Sequence, residues 1–187
     1  MARSKDLAKR ERLLDEAATV LARKGIVETS LRSLAEEMGT TARMLIYYFG
    51  SKDQLILDVL EREQGSATPN ATARSLAELR EVILTEWDDM VSGSRARGAR
   101  ILVQVFGSAC APESDFAEYT RTTMSTLIKS FQHTLMRLGI PETEAHIRAE
   151  ILIEALQGFL IRLCTTDDPA ALRRSYKALA DYVTRPE

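Results

Sequence analysis

The sequence predicts an all-α protein of about nine helices, and three observations carry that expectation. Gly and Pro fall between segments whose apolar residues recur at helical spacing. No stretch sustains the alternation of a strand, and the segments start and stop on recognisable helix caps. At 187 residues and 45% hydrophobic content, the chain has enough apolar material for a packed core.

The first helix is expected over about 5–24, with Leu14, Ala17, Ala18 and Leu21 on one face and Gly25 as a left-handed stop. Ser30 caps a second, LRSLAEEM, whose Leu31, Leu34, Ala35 and Met38 form the inner face, and Gly39 ends it. A third starts at Thr40 or Thr41 and ends near Phe49 or Gly50. Ser51, with Gln54 three residues on, fits a capping box and opens a fourth helix running to about Gln64. GSATPNATA, residues 65–73, is the most turn-rich stretch and separates a small N-terminal unit from a larger C-terminal one. The division drawn is 1–52 and 53–187, with helix 52–64 connecting the two. Further helices are expected at 74–92, 95–111, 114–139, 144–166 and 169–184. Asp168 and Pro169 supply the cap and first position of the last one.

The formal charge of −2 is unevenly spread. Residues 1–52 carry ten Lys/Arg against seven Asp/Glu, a balance of +3 that leaves −5 on the remainder. A basic end on an acidic body is suited to an anionic partner. No apolar run approaches the roughly 20 residues needed to cross a bilayer. The charged start MARSKDLAKRERLL lacks the apolar stretch of a secretory signal. A cytoplasmic location without a membrane partner is therefore expected. Cys110 and Cys164 belong to no C-x-x-C pair, and only His133 and His146 are available to join them as soft ligands. Buried reduced thiols, no metal and no cofactor are the expectation.

Two short helices joined by Met38-Gly39-Thr40 form a helix-turn-helix arrangement. A helix about 10–12 Å across fits a DNA major groove about 12 Å wide. The second helix of such a pair enters that groove while the first braces against the backbone. The segment SLRSLAEEMGTTARMLIYYFGSKDQL resembles the DNA-binding signature of TetR-type transcriptional regulators. Arg32, Leu34, Ala35, Gly39, Leu45, Tyr48, Phe49, Ser51, Lys52 and Leu55 fall on that pattern in register, with Ser30 and Thr41 as conservative matches. The resemblance covers about residues 5–60. Thr40, Arg43 and Ile46 depart from it, on or beside the reading face, and bear on which DNA sequence is preferred.

The roles that follow are expectations. Arg43 is the best base reader, because a guanidinium can bond both acceptors of guanine; a phosphate contact is its alternative. Tyr47 is expected against sugar or a thymine methyl. By resemblance, Tyr48 contacts phosphate through its hydroxyl. Lys52 would hold a phosphate at the start of the fourth helix. Ser30 and Arg32 lie where the second helix meets the DNA backbone, although Arg32 can instead pair with Glu36 one turn on. Thr41 and Ala42 face the groove. Leu34, Leu45 and Phe49 are core. Lys5, Lys9, Arg10 and Arg12 either approach DNA or form solvated helix surface.

A short reading head needs a symmetry-related second copy for an extended site. The last two helices are the expected homodimer surface, through Ile151, Leu152, Ala155, Phe159, Tyr176, Leu179 and Val183; burial within one chain is the alternative. The resemblance also implies a small-molecule effector bound in the C-terminal part. Trp87, Met90, Gln104, Phe106, Phe116, Tyr119, Met124 and Gln157 are the candidate pocket residues, though each also fits plain core filling. Their character favours a hydrophobic effector, and the resemblance implies that its binding releases the operator, which is expected to be palindromic double-stranded DNA. Two other readings are a DNA-binding regulator without a ligand and an all-α enzyme. No Ser/His/Asp or Cys/His pattern here has a supporting local motif, so no catalytic residue is assigned.

Overall fold

The computed structural model describes residues 2–64, 72–111, 113–166 and 168–186; side chains are described from Asp6 onward, Gln64 excepted. Most of the turn-rich stretch 65–73 and the Lys5 side chain therefore lie outside the described residues. Among the described residues are nine α-helices and no strand. They are α1 (Ala2–Lys24), α2 (Leu31–Glu37), α3 (Ala42–Phe49), α4 (Lys52–Gln64), α5 (Leu76–Ser92), α6 (Ala96–Ser108), α7 (Ala117–Arg137), α8 (Glu142–Thr165) and α9 (Pro169–Val183). No helix among the described residues is long and apolar enough to cross a membrane.

Local signals set many of these ends. Ser30 accepts from the Ser33 N–H at 3.1 Å, and Thr41 accepts from the Met44 N–H at 3.2 Å. Each satisfies an N–H left without a helical partner in the first turn. Ser51 takes the Gln54 N–H at 3.0 Å, but the Gln54 amide turns along its own helix to Asp58. The capping box is thus half formed. Asp168 accepts from the Ala171 N–H at 2.9 Å, with Pro169 as the first helical residue.

The chain packs as two units, Met1–Gly65 with Arg97–Phe116, and Ser66–Ala96 with Ala117–Glu187. The linear division at residue 52 differs from this one. Grouping by packing keeps α4 whole and adds α6 to the N-terminal helices, an association that no neighbouring sequence announces.

In the first unit, α1 packs on α2 and α4, and α3 on α2 and α4. Leu14, Ala17, Ala18 and Leu21 from α1 meet Leu34 and Ala35 from α2, Leu45 and Phe49 from α3, and Leu55, Ile56, Val59 and Leu60 from α4 as buried core. Burying each large aliphatic side chain contributes about 1.5–3 kcal/mol. At the start of α6, Arg97 gathers three elements. It donates to both oxygens of Glu63 at 3.1 and 2.8 Å, to Asp15 at 2.9 Å and to the Thr19 hydroxyl at 3.1 Å. The next residue, Gly98, lies so close to α4 that a Cβ there would sit 2.8 Å from Glu63 Cβ.

In the second unit, α8 packs on α7 and α9, and α9 on α5. Its aromatic centre is Trp87 stacked on Tyr176 at 4.5 Å, with Phe159 edge-on to both rings at 5.8 and 5.2 Å. Burial holds the Tyr176 hydroxyl well above the ordinary tyrosine range, with the Arg95 charge opposing that rise. Arg148 is only 2% exposed. It pairs with Glu144 at 2.7 Å and donates to the Val183 and Arg185 carbonyls at 3.3 and 2.5 Å. A cation thus caps the negative end of α9.

Several expectations about side chains are corrected here. Cys110 and Cys164 are exposed, because each sits near the C-terminal end of its segment on an outward side. Leu152, Tyr176 and Val183, expected on a dimer surface, are buried against their own unit; Ala155, Phe159 and Leu179 are half-buried and Ile151 is exposed. What α8 leaves in solvent is Ile147, Ile151 and Ile161. Beside this strip, a groove of about 480 Å³ runs between α8 and α9, lined by Ala155, Gly158, Phe159, Arg162, Ala171, Leu172 and Ser175.

Candidate nucleic-acid interface

The turn between α2 and α3 depends on Gly39, whose φ of +63° is a left-handed conformation that glycine adopts without a Cβ penalty. Thr41 then caps α3, which is eight residues long. Leu45 and Phe49, four apart, point inward at 0% and 5% exposure. The same periodicity turns Arg43, Ile46 and Tyr47 outward together. Ile46 is 52% and Tyr47 70% exposed. Leaving such side chains in water forgoes on the order of 1 kcal/mol of burial each. Arg43 is exposed and has no hydrogen-bond or ion-pair partner among the described residues. A free guanidinium beside two solvated apolar side chains is a surface equipped for base edges and sugars.

The other expected contacts are placed as follows. Thr41 is exposed and Ala42 half-buried at the start of α3, and the Thr41 hydroxyl is taken up in capping. Ser30 is exposed and caps α2. Arg32 is exposed and pairs with Glu36 at 3.2 Å, the alternative that its spacing allowed. Lys52 donates from Nζ to the Ile26 carbonyl at 2.6 Å. An ammonium has three protons, so this bond leaves two for an anion. Tyr48 is half-buried, with its ring edge-on to Tyr47 at 5.1 Å. Its hydroxyl donates to Asp6 at 2.6 Å, and that carboxylate pushes the phenol up to about 12.

The N-terminal basic residues divide. Lys9 Nζ lies 5.7 Å from the Tyr48 ring centroid, beside the reading head. Arg10 instead pairs with Asp58 and covers the Phe49 ring at 5.2 Å, tying α1 to α3 and α4. Arg12 is exposed. Arg23 and Lys24 both pair with Glu37, holding its carboxyl below the usual range, Lys24 contributing most.

Two participants went unread in the sequence. Asp6 is one acid in a basic stretch, with nothing local to single it out. Gln104, which had suggested a pocket lining, accepts the Ile26 N–H at 2.9 Å through Oε1 and donates from its amide to the Arg100 carbonyl at 2.8 Å. Its polarity within an apolar run serves that tether. Of the other candidate pocket residues, Phe106 and Phe116 belong with Gln104 to the first unit, and Trp87, Met90, Tyr119, Met124 and Gln157 to the second. Trp87 and Met90 are buried, whereas Tyr119, Met124 and Gln157 are half-buried. The Gln157 amide donates to Met124 Sδ at 3.7 Å and to the Ile153 carbonyl at 3.2 Å, while its Oε1 is a buried acceptor without a donor among the described residues. Thr120 Oγ1 is likewise buried and unpartnered.

Comparison with known proteins agrees with this geometry. Residues 13–59 match the family model of bacterial regulatory proteins, tetR family. No curated protein sequence matches the chain. Among solved structures, a TetR-like transcriptional regulator from Rhodococcus sp. RHA1 is 21% identical, covering 91% of this chain and 93% of its own, at a TM-score of 0.67. Another transcriptional regulator of Rhodococcus sp. Rha1 is 18% identical over 93% of this chain and 95% of its own, at 0.74. The complex of SmeT with triclosan is 19% identical over 94% of this chain and 90% of its own, at 0.74. SmeT is the repressor of the Stenotrophomonas maltophilia multidrug efflux pump SmeDEF. At these identities the likeness to solved structures shows a shared fold, and the family match covers residues 13–59, the segment that holds the helix-turn-helix.

Proposed function

We propose that this chain is a TetR-family transcriptional regulator, a ligand-responsive repressor that binds a palindromic operator as a homodimer and lets go when a small hydrophobic effector binds. The observation that carries the DNA-reading part is the outward face of α3, where Arg43, Ile46 and Tyr47 stand together in solvent on a rigidly capped helix. Arg43 reads a base, Tyr47 packs on sugar or a thymine methyl, and Tyr48 and Lys52 hold phosphates. Ser30, Arg32, Thr41 and Ala42 line the approach.

The dimer reading is supported by the solvated apolar strip of α8, Ile147, Ile151 and Ile161, beside the α8–α9 groove. Helices of this kind bury such strips against a second copy. The effector reading is supported by Gln157 Oε1 and Thr120 Oγ1, since buried polar atoms ordinarily have partners. A mostly apolar molecule with a hydrogen-bond donor suits them. That the structural neighbour SmeT forms a complex with triclosan supports this reading.

Selection of bound sequences from a random duplex pool, repeated with candidate hydrophobic effectors including triclosan, tests these statements together. Enrichment of a palindrome that is lost on adding one effector is expected. Recovery of no sequence above background overturns the reading. A regulator without a ligand would enrich the palindrome but show no thermal stabilisation across a metabolite library.

A further inference from the structure

The hydroxyl assigned to DNA phosphate is already in use. Tyr48 Oη donates to Asp6 Oδ1 at 2.6 Å, joining α3 to a residue 42 positions earlier on α1. Asp6 is exposed and Tyr48 half-buried, so the pair sits at the protein surface beside the reading face. A phenol has one proton to donate. It cannot give that proton to a carboxylate and to a phosphate oxygen at once. A phosphate bonded to Oη would also lie next to the Asp6 carboxylate, and two anions so close repel each other. Lys9 Nζ, 5.7 Å from the same ring's centroid, is a cation on the same surface.

We infer that Asp6 is a negative determinant of DNA affinity, a latch that occupies the Tyr48 hydroxyl in the free protein and must release it when duplex DNA docks. The inference rests on the assignment of Tyr48 to a phosphate. Phosphate contacts act on every sequence alike, so the latch weakens the hold on any duplex. Its effect is therefore greatest at low salt, where phosphate contacts are strongest.

The experiment compares four full-length chains: wild type, Asp6→Ala, Tyr48→Phe and the double variant. Each is titrated with a fluorescent random-sequence duplex at several salt concentrations, and anisotropy is read. Melting temperatures confirm that all four are folded. Asp6→Ala is expected to tighten binding about fivefold in the wild-type background, the scale of one exposed charge-assisted contact. In the Tyr48→Phe background the same change should give no more than about a twofold gain, the general effect of removing one negative charge. Equal gains in both backgrounds, or weaker binding by Asp6→Ala, overturn the latch while leaving the DNA-binding reading intact. Absence of salt-sensitive binding by all four chains overturns both.

Discussion

Gln104 and Lys52 hold opposite ends of one residue. Ile26 donates its N–H to Gln104 Oε1 at 2.9 Å and accepts a hydrogen bond from Lys52 Nζ on its carbonyl at 2.6 Å. The α1–α2 connection is thus pinned from α6 on one side and from the start of α4 on the other. The neighbouring Gly25 has φ +87°, and a Cβ there would lie 2.9 Å from Gln104 Oε1. Replacing Gln104 by Leu removes the acceptor and leaves the part-buried Ile26 N–H unpaired. A loss of about 1–2 kcal/mol in urea unfolding is expected. An unchanged midpoint would mean that water replaces the side chain fully.

Arg97 should matter more. Its main partner, the Glu63 side chain, is only 5% exposed, so deleting the guanidinium strands a carboxylate out of solvent. Arg97→Ala is expected to cost about 2–3 kcal/mol, softened by Arg62 nearby. Arg97→Lys should recover less than half, because an ammonium cannot present the same two-pronged donor set. Chemical denaturation of the three proteins side by side checks both statements.

Acid should loosen specific pairs. Asp15 is held below the ordinary aspartate value of 3.8, chiefly by its hydrogen bond from Arg97, and Asp88 likewise by Arg173. Both folded-state values lie under the unfolded one. Their stabilisation is therefore complete above that ordinary value and is lost as the pH falls below it, through the folded values. Each side chain is about half exposed, so solvent screening keeps each contribution under about 1 kcal/mol. Melting curves of Asp15→Asn and Asp88→Asn should lie below wild type at neutral pH and converge with it in strong acid. A gap that persists unchanged at low pH would contradict the assignment.

The reading face and the backbone contacts should separate. Arg43→Ala is expected to cost about 1–3 kcal/mol of binding to the selected operator and to relax preference at one base pair. Lys52→Ala should weaken selected and scrambled duplexes alike and lower the salt slope by about one. Because its ammonium also holds the Ile26 carbonyl, Lys52→Ala should lose stability too, which Arg43→Ala should not. Anisotropy on both duplexes, paired with thermal unfolding, reads all three effects.

For assembly, Ile161 is the most exposed large hydrophobic side chain of α8, at 55%. Ile161→Glu adds a charge without touching the core of its own unit. Light scattering should show the mass of two chains for wild type and of one for the variant, with far-UV circular dichroism unchanged. A wild-type mass of a single chain at micromolar concentration would remove the dimer from the proposal.

Short-range physics was legible in the sequence. Ser30, Thr41, Ser51 and Asp168 cap helices because each needs only an N–H three residues away. Leu45 and Phe49 turn inward and Arg43 and Tyr47 outward because a helix repeats every 3.6 residues whatever surrounds it. The helix-turn-helix and its outward side therefore follow from local rules alone. Only the folded chain decided the rest. Asp6 meets Tyr48, Gln104 meets Ile26 and Arg97 meets Glu63 across 42, 78 and 34 positions, and Tyr176 turns into the core to stack on Trp87. Such partners are chosen by which helix faces pack together, and a side chain's own neighbours in sequence carry no record of that choice.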